Sequence, residues 1–185
     1  SAPAMPAMDV PACPASFTPS ANVPTGAGIS YSVVSGVLTV SGAVTLTLTD
    51  TAYYFSSIVL SSGGRISFPG APRAVVMLRD SLNAGGGTVA NTSGIPTNLA
   101  FSSCGTSATP AKWILSSGAT PGYYSVYAPN HVVTETGSGD FYGAVVAASY
   151  SSSGGGKFHF DQALTRMPSG KLAVEKGTWA QLPGS

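Results

Sequence analysis

The feature that most limits the fold of this chain is a run of very short apolar stretches between Tyr123 and Leu164. β-branched and aromatic residues stand there in groups of a few, and clusters of Gly, Ser, Asn and Pro separate them. No group is long enough for a helix, and a strand of this length is stable only when it lies against other strands. The run therefore predicts short strands stacked on one another.

The same pattern extends back along the chain to Ile29. Between residues 44 and 49, valine and leucine alternate with threonine, which is typical of a half-buried strand. Strands are predicted at residues 29–34, 37–40, 44–49, 53–60, 65–68, 74–78, 88–90, 98–102, 112–115, 123–127, 131–134, 141–147 and 157–160. Only residues 161–166 offer a turn or two of helix, before Met167-Pro168 ends it. The chain is predicted to be all-β.

An all-β chain can still form a sandwich, a barrel or a solenoid. Hairpin folds favour tight two-residue turns such as Asn-Gly, and the sequence has no clean example. The apolar strand centres recur instead at irregular intervals of roughly 13–25 residues, as in the coils of a parallel β-helix with insertions at one corner. We predict a single-domain parallel β-helix, or β-solenoid, over residues 29–185.

The first 28 residues differ in composition from the rest. They contain six prolines, which exclude helix and interior strand and predict an extended segment. Cys13 lies in this segment, and the second cysteine is Cys104. We predict that they form a disulfide closing a loop of roughly 90 residues, which stabilises by up to about 4–5 kcal/mol and indicates an oxidising compartment. The alternative is two unrelated buried thiols.

Charge narrows the range of partners. Only 8% of the residues are charged, against about 25% in ordinary soluble domains, and the net charge is +1. We therefore expect no nucleic-acid partner. No stretch approaches the about 20 apolar residues of a membrane span, and no signal peptide opens the chain, so either an export segment has been removed or the protein is cytosolic.

Several motifs between residues 53 and 164 resemble the C-terminal β-solenoid domain of bacterial type IV pilus-assembly proteins of the minor-pilin-like sort. They are YYFSSIVLSSGGRISFPG at 53–70, AVVMLRDSLNAGGGTVANTSGIPTNLAF at 74–101, VYAPNHVV at 126–133, GSGDFYGAVVA at 137–147 and KFHFDQAL at 157–164. The resemblance implies a solenoid fold and a location at the bacterial surface. Such proteins begin with a long apolar anchor helix, whereas this chain begins with the proline-rich segment; either the helix has been removed or this is a secreted relative.

Catalytic and metal motifs are weak. Seven carboxylates are scattered along the chain. For an acid–base site, neighbouring coils could bring Glu135 and Asp140 together, or place Arg79 and Asp80 near a third group. His131 follows a turn and is expected at a corner. His159 lies in the sequence KFHFD, where Lys157, His159 and Asp161 share one side of a strand. We expect no cofactor, no metal site and no enzyme activity.

Aromatic residues are abundant for so uncharged a chain. Exposed tyrosines favour contact with sugars or proteins, because they offer a large area at low entropic cost. The candidate contact residues are Tyr123, Tyr127, Tyr142, His159 and Trp113. Trp179 is a candidate cap for an open end of the solenoid.

These observations favour a non-enzymatic, exported structural or adhesion protein, extracellular or pilus-associated on a bacterial surface. Its expected partners are pilus components or identical subunits, with self-assembly into a filament as one option. Glycans are further candidate partners. The alternative function is a β-helix protein that binds or cleaves polysaccharide.

Overall fold

Twelve β-strands and one short 3-10 turn, Pro96–Asn98, form the regular structure of residues 12–105, 112–116 and 118–161, which the computed structural model describes. The strands are β1 (Ile29–Ser32), β2 (Val37–Ser41), β3 (Thr45–Thr47), β4 (Ala52–Ser61), β5 (Arg65–Phe68), β6 (Ala74–Asn83), β7 (Thr88–Asn91), β8 (Leu99–Ser103), β9 (Trp113–Ser116), β10 (Gly122–Thr136), β11 (Phe141–Ser152) and β12 (Phe158–Phe160).

The strands form two sheets that coil around one core. The larger sheet follows the order β1-β2-β4-β6-β8-β10-β11-β12, with β9 pairing β10 and β6, and the smaller follows β3-β5-β7. Every pair is parallel except β1–β2 at the N-terminal end. Parallel pairing between segments about one coil apart is the geometry of a solenoid, here of about six turns. The predicted β-solenoid is confirmed.

The long strands turn a corner within the larger sheet. β10 pairs with β8 through Ser125–Tyr127 and with β9 through Val133–Thr136, and its register with β11 shifts between Ala128 and Val132. The strand thus spans two limbs of the sheet. We call the part containing β8 and the first half of β10 the first limb, and the part containing β9 and the second half of β10 the second limb. Residues 123–127 and 131–134, predicted as two strands, belong to one bent strand.

Side chains at alternate strand positions fill the interior. A column of aromatic rings runs along it through Phe68, Phe101, Tyr124, Phe141 and Phe158, with centroids 6.3, 5.4, 4.9 and 5.2 Å apart in succession. All except Phe158, which lies in the last strand, are at most 1% exposed. Their burial supplies much of the hydrophobic stabilisation of each coil.

Glycines recur at the corner between the second limb and the smaller sheet because neighbouring coils touch there through their backbones. A Cβ atom on Gly64 would collide with the Val40 carbonyl, and one on Gly87 would collide with the Gly64 carbonyl. The same relation joins Gly154 to Gly137 farther along the chain. The Gly-rich runs of the sequence are therefore a consequence of coil stacking.

We call residues 12–28 the strap: its first part, as far as Ser20, lies on the outside of the first limb, whereas Val23 is buried in the core. The predicted disulfide is confirmed: Cys13 and Cys104 are bonded, with an S–S distance of 2.07 Å. Phe17 packs edge-on against Tyr54 at 6.3 Å, and the Arg79 guanidinium lies 5.5 Å from the centre of the Phe17 ring. Ser20 then hydrogen-bonds the backbone of Tyr54 in β4. These contacts hold the strap beside a small outer apolar cluster of Val75, Met77 and Ala100.

The predictions made for the two ends of the chain lie wholly or partly outside the described residues. The helical turn at 161–166 lies outside the described residues apart from Asp161, and so does Trp179. The long first segment, residues 1–28, is described only from residue 12, and the first strand begins at Ile29.

Candidate functional site: an outward column of rings

Three of the predicted contact residues form a stack on the outer side of the first limb. Tyr123 pairs with Tyr142 between β10 and β11, and Tyr142 pairs with His159 between β11 and β12. The ring centroids are 5.0 and 4.3 Å apart, with interplanar angles of 18° and 6°. Parallel strands in register place equivalent side chains directly above one another, so three planar rings at one position stack. We call Tyr123, Tyr142 and His159 the ring column.

Asp140 fixes the end of the ring column. One of its carboxylate oxygens accepts the backbone N–H of Lys157 at 2.9 Å, and the other lies 3.0 Å from Nε2 of His159. The Lys157 N–H, and after it the His159 contact, hold the pKa of Asp140 below its ordinary value of 3.8. The carboxylate is therefore ionised at neutral pH and orients the imidazole.

The hydroxyl of Tyr142 stays protonated beside this carboxylate. Burial, followed by the negative charge of Asp140, raises the pKa of Tyr142 above its ordinary value of 10.0. The ring column therefore presents a phenol and an imidazole oriented by a carboxylate, groups that donate and accept hydrogen bonds.

A groove of about 220 Å³ runs beside the ring column. Its walls are Gly94, Pro96, Tyr123, Tyr142, His159, Phe160 and Asp161. Phe160 is 55% exposed and contributes apolar surface, whereas the ring column contributes polar groups.

Asn91 holds the turn that carries Gly94 and Pro96, two of the residues that line this groove. Its side-chain amide is buried and donates to the carbonyls of Ile95 and Tyr123 at 2.8 and 2.9 Å, while its Oδ1 accepts from Ser93. These bonds hold the 92–96 turn against β10 and set the position of Pro96. Sequence reasoning missed Asn91; the available signal was an Asn at a strand end followed by Thr-Ser-Gly, which is typical of a side chain that bonds turn backbone.

Comparison with known proteins gives a family for the fold. The description "Domain of unknown function (DUF7305)" fits residues 33–167. The chain belongs to this family. No curated protein and no solved structure matches it. The matched range contains the whole ring column and Cys104, whereas Cys13 and the rest of the strap precede it. In this chain the DUF7305 domain is thus cross-linked to a segment outside the matched range.

The remaining contact candidates lie away from the groove. Tyr127 is a partly exposed residue of β10 on the same outer side as Tyr123, four positions farther along the strand. Trp113 is fully buried: its ring packs on His131 at 5.3 Å and its Nε1 donates to the Asp80 carbonyl. The prediction that Trp113 contacts a partner is therefore wrong, because the alternation of β9 turns it into the core.

His131 is a satisfied core residue at the corner between the limbs. It is 2% exposed, and its Nε2 lies 2.5 Å from Oγ of Ser103. This pair links β8 to β10 inside the solenoid. The location at a corner agrees with the sequence-based expectation.

Glu135 and Asp140 do not come together as an acid–base pair would require. Glu135 points into the core, where it is 1% exposed and its Oε2 accepts from Tyr150 and Ser152, while Asp140 lies on the outside. Asp80 pairs with Arg79 at the surface. Asp161 lines the groove beside the ring column, and Asp140 contacts His159 of that column.

Two further features concern residues 12–105, 112–116 and 118–161. In those ranges, no group of three or more His, Cys, Asp or Glu side chains is placed to hold a metal ion. No helix within them has the length and apolar character needed to cross a membrane.

Proposed function

We propose that this chain is a non-enzymatic, exported structural protein, displayed on a bacterial surface or associated with a pilus, where it supports adhesion. The observation that carries the proposal is the strap, which the Cys13–Cys104 disulfide binds to the outside of the β-solenoid. Structural disulfides persist in oxidising compartments and are rare in the cytosol. A cross-linked strap therefore favours export.

The shape and surface of the solenoid agree with a scaffold role. Coils stacked through parallel strands make a rigid rod whose outer positions are fixed relative to one another. Few charges cover it, since only 8% of all residues are charged, so its contacts depend on polar and aromatic groups. The resemblance to pilus-assembly proteins supports a surface location, with pilus components or identical subunits as partners.

Location is tested in cells of the source organism with an antibody raised against the purified chain. Intact cells are treated with a protease and then compared with lysed cells. We expect the protein to be removed from intact cells and to migrate faster without reductant than with it. Protection in intact cells, together with free thiols that react with a maleimide on lysis, would contradict the proposal.

Assembly is tested separately on purified protein. Size-exclusion chromatography and negative-stain imaging distinguish a monomer from a filament, and the same samples mixed with pilus fractions test co-sedimentation. A monomer that neither polymerises nor binds pili would remove the pilus role while leaving export and surface display open to the protease experiment.

A further inference from the structure

We propose that the groove beside the ring column binds one terminal sugar residue of a neutral glycan. This inference rests on the proposed adhesion role, because it names the ligand class that an adhesive surface would take. It depends on the groove between Pro96, the ring column and Phe160. The groove is smaller than the roughly 300–1,000 Å³ of a pocket for a drug-sized molecule, which suits a single sugar ring.

The walls match the two kinds of surface that a pyranose ring has. A sugar ring presents flat C–H faces and a rim of hydroxyl groups. Phe160, with 55% of its surface exposed, supplies apolar area on which a C–H face can stack, and the buried Pro96 closes the wall behind it. Tyr123, Tyr142 and His159 turn their edges outward and supply polar groups to the rim.

The hydrogen-bonding state of the ring column suits sugar hydroxyls. Because Asp140 is ionised, the Nε2–H of His159 donates to it, which leaves Nδ1 of the same ring for a hydrogen bond with a ligand. The Tyr142 hydroxyl is a phenol that both donates and accepts. A sugar hydroxyl, which also does both, can bridge these groups without any change in charge.

Charge favours a neutral ligand over an acidic one. Asp161 lines the groove, and the carboxylate of Asp140 holds His159 in its wall, where the charge of Lys157 also acts on Asp140. A uronate or sulfate group would face two negative charges at close range. A neutral hexose or N-acetylhexosamine avoids this repulsion.

The site is organised before a ligand arrives. Ring stacking between coils fixes Tyr142 on both of its faces, and Asp140 fixes His159. Little side-chain entropy remains to be lost on binding, so a few hydrogen bonds and one stacking contact give measurable affinity.

The experiment uses the purified full chain with its disulfide intact. The neutral probes are malto-, cello- and N-acetylated chito-oligosaccharides, and the anionic probe is oligogalacturonate. Saturation-transfer NMR detects binding, and isothermal titration calorimetry gives Kd. We expect at least one neutral probe to bind and oligogalacturonate to show no binding.

Three variants locate the binding. Tyr142→Phe keeps the stacked ring and removes one hydroxyl, so it should raise Kd about 5-fold. Phe160→Ala removes the stacking face and should raise Kd further. Tyr127→Phe removes a hydroxyl from the same outer side away from the groove, and it should leave Kd unchanged. Circular dichroism and melting curves confirm that each variant is folded.

The inference is overturned if no neutral probe binds, if oligogalacturonate binds best, or if Tyr142→Phe and Phe160→Ala both leave Kd unchanged. Its failure can be told from failure of the proposed function. A surface-exposed protein without glycan binding would lose only this inference, while a cytosolic protein that binds glycans would lose only the surface role. Release of reducing ends from a bound probe would overturn the non-enzymatic part of the proposal.

Discussion

Gly143 occupies a position in β11 where only a hydrogen atom fits. A Cβ atom there would collide with the carbonyl oxygen of Tyr124, its register partner in β10. We expect Gly143→Ala to force the two strands apart and to lower the free energy of unfolding by about 1–3 kcal/mol. Urea denaturation followed by circular dichroism measures this loss. Gly155→Ala is the matched control, because nothing lies within 4 Å of a Cβ added there. Equal stability of the two variants would contradict the prediction.

Glu135 controls the ionisation of two tyrosines from within the core. Burial raises the pKa of Tyr150, and the hydrogen bond and charge of Glu135 raise it further; burial and Glu135 also raise the pKa of Tyr124. Both folded pKa values lie above the ordinary 10.0. The unfolded chain therefore loses these protons first as the pH rises. Stability from the protonated tyrosines is complete below pH 10.0 and is lost as the pH rises toward the folded pKa values.

We predict that Glu135→Gln lowers the pKa of Tyr150, since an amide keeps an acceptor for the phenol but carries no charge. Ultraviolet titration of phenolate from about pH 8 upward measures the change, which should bring the Tyr150 step to lower pH. Tyr150→Phe identifies which step of the titration belongs to Tyr150. A Tyr150 step that stays in place in Glu135→Gln would show that the carboxylate does not act on it.

At the scale of elements, the strap is held by one covalent bond and a few side-chain contacts. Replacing Cys13 and Cys104 together by serine opens a loop with a sequence separation of 91 and should cost about 4 kcal/mol in the chain-entropy model. The thermal midpoint should fall, and chymotrypsin should cleave faster after Phe17. Val75 and Met77 should become exposed and increase the fluorescence of a bound hydrophobic dye.

Phe17→Ala is the control for this prediction. It removes the ring contacts with Tyr54 and Arg79 but keeps the disulfide, so it should release the strap less and lower the midpoint less. An unchanged midpoint in the double serine variant would mean that the strap contributes nothing to the stability of the solenoid.

A strand could be predicted where the alternation of apolar and polar residues within its own segment is sufficient to define it. The alternation at residues 44–49 gives β3, in which Leu46 is buried between exposed threonines. The break predicted at residues 128–130 was wrong, because these residues form a corner within β10, and neighbouring strands pair with β10 on both sides of it. A turn within one strand and a turn between two strands have the same local sequence. The difference lies in the adjacent coils, which the segment itself does not specify.

The ring column could be predicted only as a set of candidates. Tyr123, Tyr142 and His159 carry no fixed spacing, since the loops between coils differ in length, and only the strand register aligns them. The same reason hid Asp140, whose partners lie 17 and 19 residues away. Trp113 resembled the exposed aromatics in composition, and the direction of its side chain depends on the exact start of β9.

At the scale of the whole molecule, each coil packs mainly on the coils directly before and after it. Stability in such a column is close to a sum of the terms for single coils and for neighbouring pairs. An aromatic ring in a middle coil packs against both the preceding and the following coil. Among the described residues, a ring in the last strand packs only against the preceding coil. The effect of one type of substitution should therefore depend on its place along the column.

Phe101→Ala and Phe158→Ala test this dependence with one chemical change. Phe101 is 1% exposed and contacts Phe68 and Tyr124, whereas Phe158 is 40% exposed and contacts Phe141 and Tyr150. We expect Phe101→Ala to cost about 3–5 kcal/mol and to speed hydrogen exchange in β6, β8 and β10. Phe158→Ala should cost less and speed exchange only in β11 and β12. If both variants unfold the molecule at the same reduced temperature and speed exchange everywhere, the solenoid is one cooperative block, and coupling between neighbouring coils does not describe its stability.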